Sequence, residues 1–478
     1  MSTTNHSKIR HTILAALLSL LAIVSPTAIS HAQINTNAKE AEERADALRK
    51  ADSALSDKQR QLLNNIQQAA SAHIADNINT LRDTSAVTTG NQTGSRLRIS
   101  LLTCGPGNEV YEYYGHTAIR VVRTDSVALD ITFNYGVFDF SSGNFALRFA
   151  LGQTDYRCVS EPTEYFLQSY RNSGRYVDEQ ILNLTQPEAQ RLFNALQENV
   201  KPENCVYRYN FFFDNCATRA RNIIERSLMM QLQYPIRPTE RSLRDAVHFY
   251  CRQHPWPTFG QDLLLGSDAD VPATGRDLQF VPLILAQDLD QTFVIGNNGM
   301  VYKLVTKTQR LVEADPAKTA VTNNAPSPLA VATILVAAAL ILGIWEIRKR
   351  RIVWVVDSAV LTLFGLAGLI VTFVFLFSTH PTVNSNIQVW IFNPLPLVGL
   401  YWQIKGGRKR NYKSYHIVAA PITLAFLIAT CHTSQKIDTA VLLLALFLLI
   451  RNITNLIVWA KNRKATRLQQ QATTPHAK

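Results

Sequence analysis

Five apolar stretches lie in the C-terminal part of the chain, from residue 326 onward. They cover residues 329–346, 353–377, 388–403, 415–431 and 438–459, and polar or charged residues bound each of them. Four approach the length that a helix needs to cross a bilayer, whereas the third contains Pro394 and Pro396. The pattern predicts an all-α membrane domain of about five helices at 326–464, followed by a tail at 465–478.

Positive charge alternates across the connections between these stretches. Lys and Arg are concentrated at 348–351, 405–413 and 461–464, whereas the connections at 378–386 and 432–436 carry little positive charge. Because Lys and Arg favour the cytoplasmic side of a membrane, five helices would place the C-terminus in the cytoplasm. Everything before Pro326 is then predicted to lie outside the cytoplasm.

The first residues have the composition of an export signal. Lys8 and Arg10 precede a short apolar run, which leads to a small-residue site that ends at Ala32. We predict a signal peptide at 1–32, because the run is short for an uncleaved anchor helix and Pro26 follows it. Together with the membrane helices, this predicts a multi-pass protein of a bacterial inner membrane with a large periplasmic part.

Residues 33–96 are polar and rich in alanine. Leu48, Leu55 and Leu62 recur at seven-residue spacing, and the segment ends in a stretch of Thr, Gly and Ser. This predicts a helical insert, either a hairpin or a coiled-coil arm, joined by a linker to the domain that begins at residue 97.

Alternating polar and apolar residues replace this pattern from residue 97. They predict strands at 97–104, 116–122 and 127–136, with turns at 105–108 and 123–126. Thr185 and Pro187 begin a helical pattern that continues to residue 200, and a second helix is predicted to begin near Cys216. Strands and helices in separate blocks predict an α+β domain at 97–325.

The formal net charge of +12 is compatible with nucleic-acid binding. However, the basic clusters beside the membrane helices account for much of this charge, and no nucleic-acid-binding motif occurs in the sequence. We therefore predict no nucleic-acid partner.

Five cysteines fall in the predicted periplasmic domain and a sixth, Cys431, falls in a membrane helix. The five are Cys104, Cys158, Cys205, Cys216 and Cys251. Thiols in an oxidising compartment are usually paired in disulfides, so five cysteines leave one unpaired. If the unpaired one is Cys216, the other four would form two disulfides in one of three connectivities. There is no C-x-x-C spacing and no pair of histidines, so we predict neither a metal site nor a cofactor.

Cys216 stands where an aromatic run, YNFFF, gives way to a helix. Asp214 or Asn215 would cap that helix, and the unpaired amides at its start would stabilise a thiolate. A packed or disulfide-bonded cysteine fits the position equally well.

His116, at the start of a predicted strand, is the candidate base for such a nucleophile. Folding the hairpin around Asp125 pairs residues whose numbers sum to about 250, which sets Asn134 opposite His116 on the same face. An amide there would hold the imidazole in one tautomer. A shift of one residue would instead bring Tyr135 or Phe133 to this place.

The order of these residues along the chain resembles that of the circularly permuted papain-like proteins. In those proteins a strand carries the histidine, the next strand carries a polar partner, and the cysteine begins a helix, as in the NlpC/P60-related and lecithin:retinol acyltransferase-like enzymes. "YYGHTAIRV" and "DNCATRARNII" carry the resemblance. It implies a permuted papain-like fold with Cys216 as nucleophile, His116 as base and a polar partner near Asn134, although the usual second histidine is not evident.

A closer resemblance covers residues 97 to 460. The segments LLTCGPGNEVYEYYGHTAIR, FNYGVFDF, YRYNFFFDNCATRARNII and FSTHPTVNSN resemble the lipoprotein N-acyltransferase (Lnb-like) family of Bacteroidota. The resemblance implies transfer of a fatty acyl chain from a membrane phospholipid to the α-amine of the N-terminal cysteine of diacylated lipoproteins, through a thioester on Cys216.

The same resemblance suggests residues that support the site or bind substrate. Asn215 and Tyr135 adjoin the catalytic residues, while a loop between membrane helices supplies candidates for binding head groups or closing the site. These loop residues are His380, Asn384, Asn386 and Asn393.

Two other functions fit parts of the sequence. One is a membrane-anchored cysteine amidopeptidase that acts on peptidoglycan peptides, because exported papain-like domains often cut peptide bonds. The other is a catalytically inactive sensor or assembly factor.

Overall fold

The computed structural model describes residues 97–123, 129–138, 145–237, 241–296, 301–321, 324–409, 413 and 415–473. The predicted signal peptide at 1–32 and helical insert at 33–96 lie outside these residues. Residues 97–321 form a mixed domain of strands and helices, and residues 324–473 form a helical region.

Among the described residues, ten strands in two antiparallel sheets form the framework of the mixed domain. They are β1 (Leu97–Cys104), β2 (His116–Arg123), β3 (Leu129–Val137), β4 (Asp155–Pro162), β5 (Val177–Leu182), β6 (Val206–Arg208), β7 (Gln231–Gln233), β8 (Phe293–Ile295), β9 (Val301–Lys303) and β10 (Val305–Val312). The larger sheet has the order β10-β5-β1-β2-β3-β4-β6, and the smaller has the order β7-β8-β9. The predicted strands at 97–104, 116–122 and 127–136 are confirmed as β1, β2 and β3.

Nine helices belong to the described part of the mixed domain and five to the helical region. The first group is α1 (Phe145–Ala150), α2 (Thr163–Ser173), α3 (Gln186–Asn199), α4 (Cys216–Ser227), α5 (Leu243–Cys251), α6 (Pro255–Leu264), α7 (Gly275–Leu278), α8 (Pro282–Gln291) and α9 (Pro316–Thr319). The second is α10 (Pro328–Lys349), α11 (Trp354–Phe377), α12 (Leu395–Arg408), α13 (His416–Ala429) and α14 (Thr439–Thr473).

Helices cover both faces of the larger sheet. Side chains alternate along β1, so Ile99 and Leu101 enter a core with residues of α3 and α4, whereas Leu102 and Cys104 enter a second core with residues of α2. Helix α3 begins where its sequence predicted, because Thr185 caps it and accepts a hydrogen bond from the amide of Glu188. The predicted α+β class is confirmed; the circular permutation stays a prediction.

Each of the five apolar stretches contains a helix, but the helices differ in length. Three are long and apolar enough to cross a membrane, namely α10, α11 and the part of α14 from Thr439 to Arg467, among the residues described. Helix α13 is shorter, and α12 begins only at Leu395 because Asn393 and Pro394 form a turn ahead of it. The third stretch is therefore partly loop.

Ion pairs buried among the long helices join them. Arg451 of α14 donates to Glu346 of α10 at 2.7 Å and to Asp357 of α11 at 2.7 Å, and all three side chains are almost fully buried. Asn455 also donates to Asp357, at 2.8 Å. Charged side chains in an apolar region need partners of opposite charge, and these ion pairs hold α10, α11 and α14 together.

Helix α6 joins the mixed domain to the helical region. Its Phe259 and Leu263 pack into the same apolar cluster as α10, α11 and α14, and the indole of Trp256 donates to the carbonyl of Pro326 at 2.9 Å. Loops of the helical region bind the end of α6: Gln388 donates to the carbonyl of Asp262 at 2.7 Å, and Gln435 donates to that of Leu265 at 3.0 Å.

A fully buried arginine lies behind this contact. Arg244 of α5 donates to Asp262 at 2.6 Å, to Asp270 at 2.8 Å, and to the carbonyls of Leu265 and Gly266. The side chains of Arg244, Asp262 and Asp270 are at most 2% exposed. The two buried carboxylates beside the membrane loops therefore share Arg244. His248 is a second partner of Asp262, because its Nε2 lies 2.7 Å from that carboxylate and the hydrogen bond raises the pKa of His248.

Candidate active site

Cys216 is the first residue of helix α4, as predicted. Asn215 caps this helix, since its Oδ1 accepts from the amides of Ala217 at 2.9 Å and Thr218 at 3.0 Å. Its Nδ2 donates to the carbonyls of Phe211 and Phe280. Asn215 is thus almost fully buried, and it fixes the start of α4 and the direction of the Cys216 side chain.

The other capping candidate, Asp214, has a different role. It accepts two hydrogen bonds from Arg219, at 2.7 and 2.8 Å, and the Arg219 guanidinium lies 3.6 Å from the centre of the Tyr207 ring. Asp214 therefore orients Arg219, and Arg219 packs against the tyrosine of β6.

His116 is the first residue of β2 and is hydrogen-bonded to Asn134 of β3. Its Nε2 donates to Asn134 Oδ1 at 2.7 Å, while Asn134 Nδ2 donates to Glu161 at 3.4 Å. Because the amide oxygen only accepts, Nε2 carries the proton and Nδ1 is left as the basic nitrogen.

The predicted register of this hairpin is wrong by two residues. Asn134 lies opposite Ala118, so paired residue numbers sum to 252. A shift of two leaves each side chain on its face of the sheet, and Asn134 reaches His116 diagonally instead of directly across. The pairing of β3 with its other neighbour, β4, is irregular between Asn134 and Val137.

Cys216, His116 and Tyr207 all lie close to Gly136 of β3. A Cβ on this residue would lie 3.6 Å from Cys216 Cβ, 3.7 Å from His116 Cε1 and 3.9 Å from the Tyr207 hydroxyl. Its φ of +87° favours glycine, and the missing side chain leaves room for one small group between the three residues. Cys216 and His116 are not hydrogen-bonded to each other in the structure, although both are described.

Burial keeps both reactive groups neutral. It raises the pKa of Cys216 to about 11, although the backbone amides of Thr117, Ala217 and Cys216 itself act in the opposite direction. Burial also lowers the pKa of His116 to about 4, against the effect of its hydrogen bond to Asn134. The pair is therefore a thiol and a neutral imidazole, in which His116 can accept the thiol proton during attack.

These pKa values predict how the thiol responds to pH. Because iodoacetamide reacts with the thiolate, alkylation of Cys216 is expected to rise about tenfold per pH unit between roughly pH 7 and pH 10, with no plateau at lower pH. Mass spectrometry of the Cys216 peptide measures the rate. In protein unfolded by urea, the rise should level off near the ordinary thiol pKa of 9.0. A plateau below pH 7 in the folded protein would instead reveal a thiolate–imidazolium pair.

Tyr135 does not enter the site, contrary to its suggested supporting role beside His116. Its side chain points to the opposite face of the sheet from Asn134, is fully buried, and accepts a hydrogen bond from Asn199 of α3 at 2.8 Å. Alternation along β3 accounts for this placement.

His380 lies at the contact between the membrane loop and helix α1. Its Nε2 donates to the carbonyl of Phe149 at 2.9 Å, and the neighbouring Thr379 donates to the carbonyl of Leu151 at 3.0 Å. The ring of Phe149 contacts that of Tyr209, which packs in the same core as Cys216. A chain of contacts through Phe149 and Tyr209 therefore connects His380 to the core against which Cys216 packs.

The three loop asparagines are arranged differently. Asn386 is buried: it donates to the carbonyl of Leu263 at 2.8 Å and accepts from Gln435 at 2.9 Å. Asn393 is buried as well and accepts from the amide of Leu395 at 3.0 Å. Asn384 is exposed. The first two hold the loop against the protein, and their suggested roles in substrate binding stay predictions.

All six cysteines are free thiols in the structure, so the expectation of two disulfides is wrong here. Cys104 and Cys251 lie in separate apolar clusters. Cys158 and Cys205 are neighbours on β4 and just before β6, where the amide of Cys158 donates to the carbonyl of Cys205 at 2.9 Å. The described residues contain no cluster of side chains that would hold a metal ion.

Sequence reasoning missed two residues of the site, Gly136 and Tyr207. A glycine inside a strand pattern indicates a bulge or a close approach, and this signal was present in FNYG. Tyr207 belongs to a strand of three residues whose pairing with β4 is long-range. Local sequence gives no sign of that pairing.

Two family models match the chain. Residues 83–244 match the Lnb N-terminal periplasmic domain, and residues 320–463 match the Lnb transmembrane domain. No curated protein and no solved structure matches the chain.

Proposed function

The chain belongs to the Lnb family, and from that premise and the geometry around Gly136 we propose that it is a lipoprotein N-acyltransferase. Its substrates are a membrane phospholipid, which gives one acyl chain, and a diacylated lipoprotein, whose N-terminal cysteine accepts that chain on its α-amine. The observation that carries the proposal is the meeting of Cys216, His116 and Asn134 in a domain that is hydrogen-bonded to membrane-helix loops.

The first half-reaction moves the acyl chain to the enzyme. His116 Nδ1 accepts the thiol proton while Cys216 Sγ attacks the ester carbonyl, and the imidazolium then protonates the departing glycerol oxygen. A lysophospholipid leaves and a thioester remains. Asn134 supports this step because it holds the imidazole with Nδ1 free. The low pKa of His116, about 4, makes the imidazolium a strong acid for the leaving group.

The second half-reaction uses the neutral imidazole again. His116 accepts a proton from the incoming α-amine, whose nitrogen attacks the thioester carbonyl. As the C–S bond breaks, His116 passes this proton to the Cys216 sulfur, which leaves as a thiol. An amine cleaves a thioester more readily than an oxygen ester, so the covalent intermediate divides a difficult transfer into two easier steps.

The membrane helices explain how both substrates reach the site. Each substrate is confined to a bilayer by its acyl chains, and the loop at 378–380 binds helix α1 close to the aromatic residues behind Cys216. We propose an inner-membrane location, five passes, a periplasmic catalytic domain and a cytoplasmic C-terminus, consistent with the charge of the connecting loops.

Reconstitution of the full-length protein tests the proposed function. Purified protein is mixed with phosphatidylethanolamine micelles and a synthetic diacylated lipopeptide, and mass spectrometry should show one added acyl chain on the lipopeptide. The same lipopeptide with an acetylated α-amine should gain none, because it has no nucleophile. Peptidoglycan peptides form a parallel sample. Cleavage there, without acyl transfer to the lipopeptide, would favour the amidopeptidase instead.

A further inference from the structure

Tyr207 presents an unpaired hydroxyl group to the catalytic residues. The side chain is only 6% exposed, and within the described part of the chain its hydroxyl has no hydrogen-bond partner. This oxygen lies 3.9 Å from the position that a Cβ on Gly136 would take, and the same position lies 3.6 Å from Cys216 Cβ and 3.7 Å from His116 Cε1. A buried hydroxyl without a partner carries an energetic cost, which a hydrogen bond to substrate would offset.

The tyrosine ring is held in place from the Cys216 helix itself. Arg219 lies one turn after Cys216 and covers the ring at 3.6 Å, and Asp214 fixes Arg219 through two hydrogen bonds. Burial, followed by the nearby Cys216, raises the pKa of Tyr207 well above its usual range. The hydroxyl therefore keeps its proton and is available as a donor.

The helix start offers few donors of its own. The Asn215 side chain already accepts hydrogen bonds from the amides of Ala217 and Thr218. The Cys216 amide is the donor of the first turn that this cap does not use. Acyl transfer usually requires two donors for the oxygen that becomes negatively charged. Beside the Cys216 amide, the Thr117 amide faces the thiol from β2, and the Tyr207 hydroxyl is the side-chain donor at the site.

We propose that Tyr207 is a catalytic residue, whose hydroxyl donates a hydrogen bond to the acyl carbonyl oxygen as that oxygen becomes an oxyanion. The inference rests on the proposed acyltransferase function and deepens it.

Atoms and electrons balance across this step. The Cys216 S–C bond forms as the carbonyl π bond opens, the thiol proton moves to His116, and the oxyanion is held by Tyr207 and the Cys216 amide. When the π bond re-forms, the C–O bond to glycerol breaks and the proton on His116 passes to that oxygen. Tyr207 gives up no proton in the cycle.

The test compares Tyr207→Phe with Tyr302→Phe in the full-length protein. Tyr302 is a matched control because its hydroxyl donates to the Met230 sulfur at 3.2 Å, on the smaller sheet. Thioester formation on Cys216 is followed by mass spectrometry after mixing with phosphatidylethanolamine micelles. We expect Tyr207→Phe to slow it by about 10²–10³-fold, the usual cost of losing one oxyanion donor. The control should match the wild type.

A second measurement separates catalysis from structure. Iodoacetamide alkylates a thiol without forming an oxyanion, so its rate at Cys216 should be the same in Tyr207→Phe and the wild type. The unfolding temperature should not fall either, because the hydroxyl that is removed makes no hydrogen bond. A loss of alkylation equal to the loss of acylation would overturn the proposal and indicate a disturbed site.

Thioester formation by the wild-type protein separates a failure of the Tyr207 proposal from a failure of the proposed function. If the wild-type thioester forms and Tyr207→Phe forms it equally fast, Tyr207 has no catalytic role and the acyltransferase assignment stands. If the wild type forms no thioester from phospholipid, the proposed function fails, and the inference about Tyr207 fails with it.

Discussion

Acyl transfer is expected to fall by more than about 10³-fold when Cys216 is replaced by alanine, since the covalent step then has no nucleophile. The substitution should leave the fold intact. Asn215, not Cys216, caps helix α4, and its contacts to Ala217, Thr218, Phe211 and Phe280 do not involve the thiol.

The measurement combines cells and purified protein. Cells that lack this protein are complemented with wild type, Cys216→Ala or Cys205→Ala, and the N-terminal peptide of one lipoprotein is analysed by mass spectrometry. Cys205 is a suitable control because it is also partly buried but lies apart from the site, before β6. Wild type and Cys205→Ala should restore the third acyl chain. If Cys216→Ala restored it as well, Cys216 would not be the nucleophile and the inactive sensor or assembly factor would be the better assignment.

Replacement of Arg244 by methionine is expected to cost about 3–5 kcal/mol of stability, the usual effect of leaving buried charges without their partner. Asp270 would lose its ion pair and Asp262 would keep only its contact with His248, and both carboxylates are at most 2% exposed. The carbonyls of Leu265 and Gly266 would lose a donor too. Methionine keeps most of the volume, so cavity formation adds little to this effect.

Unfolding in detergent, followed by the protease resistance of the full-length protein over a temperature series, measures the change. Arg241→Met is the matched control, because Arg241 lies just before helix α5 and is exposed. It should unfold at the wild-type temperature, whereas Arg244→Met should unfold far below it. Equal unfolding temperatures for the two variants would mean that water or a protonated carboxyl replaces the lost charge at little cost.

Local signals in the sequence account for much of the site. A capping residue followed by a helical pattern placed Cys216 at the start of α4, and alternation placed Asn134 on the same face as His116. The pairing was off by two residues because the strands pair through Arg123 and Leu129, so the centre of the hairpin lies one residue later than the predicted Asp125. Only a register error of an odd number of residues would have turned the Asn134 side chain away from the His116 imidazole.

Contacts between distant parts of the chain could not be foreseen in this way. The apolar residues of α6 gave no sign that this helix would pack against membrane helices, and the pairing of β6 with β4 depends on strands about 50 residues apart. The family resemblance named the loop residues Asn386 and Asn393 as candidates for binding substrate, but their hydrogen bonds within the protein follow from packing that local sequence does not show. Their suggested roles in substrate binding stay predictions beside these structural contacts.

The hydrogen bonds that cross from α6 to the membrane loops have a consequence for expression of parts of this protein. Composition changes sharply at residue 326, which makes it an attractive place to cut the chain. A fragment that ended there would leave the carbonyls of Asp262, Leu263 and Leu265 without the side chains of Gln388, Asn386 and Gln435. It would also expose Phe259 and the apolar side of α6 to water. The surface of the mixed domain would therefore be incomplete without the loops of the helical region, so this domain is best produced with its membrane helices attached.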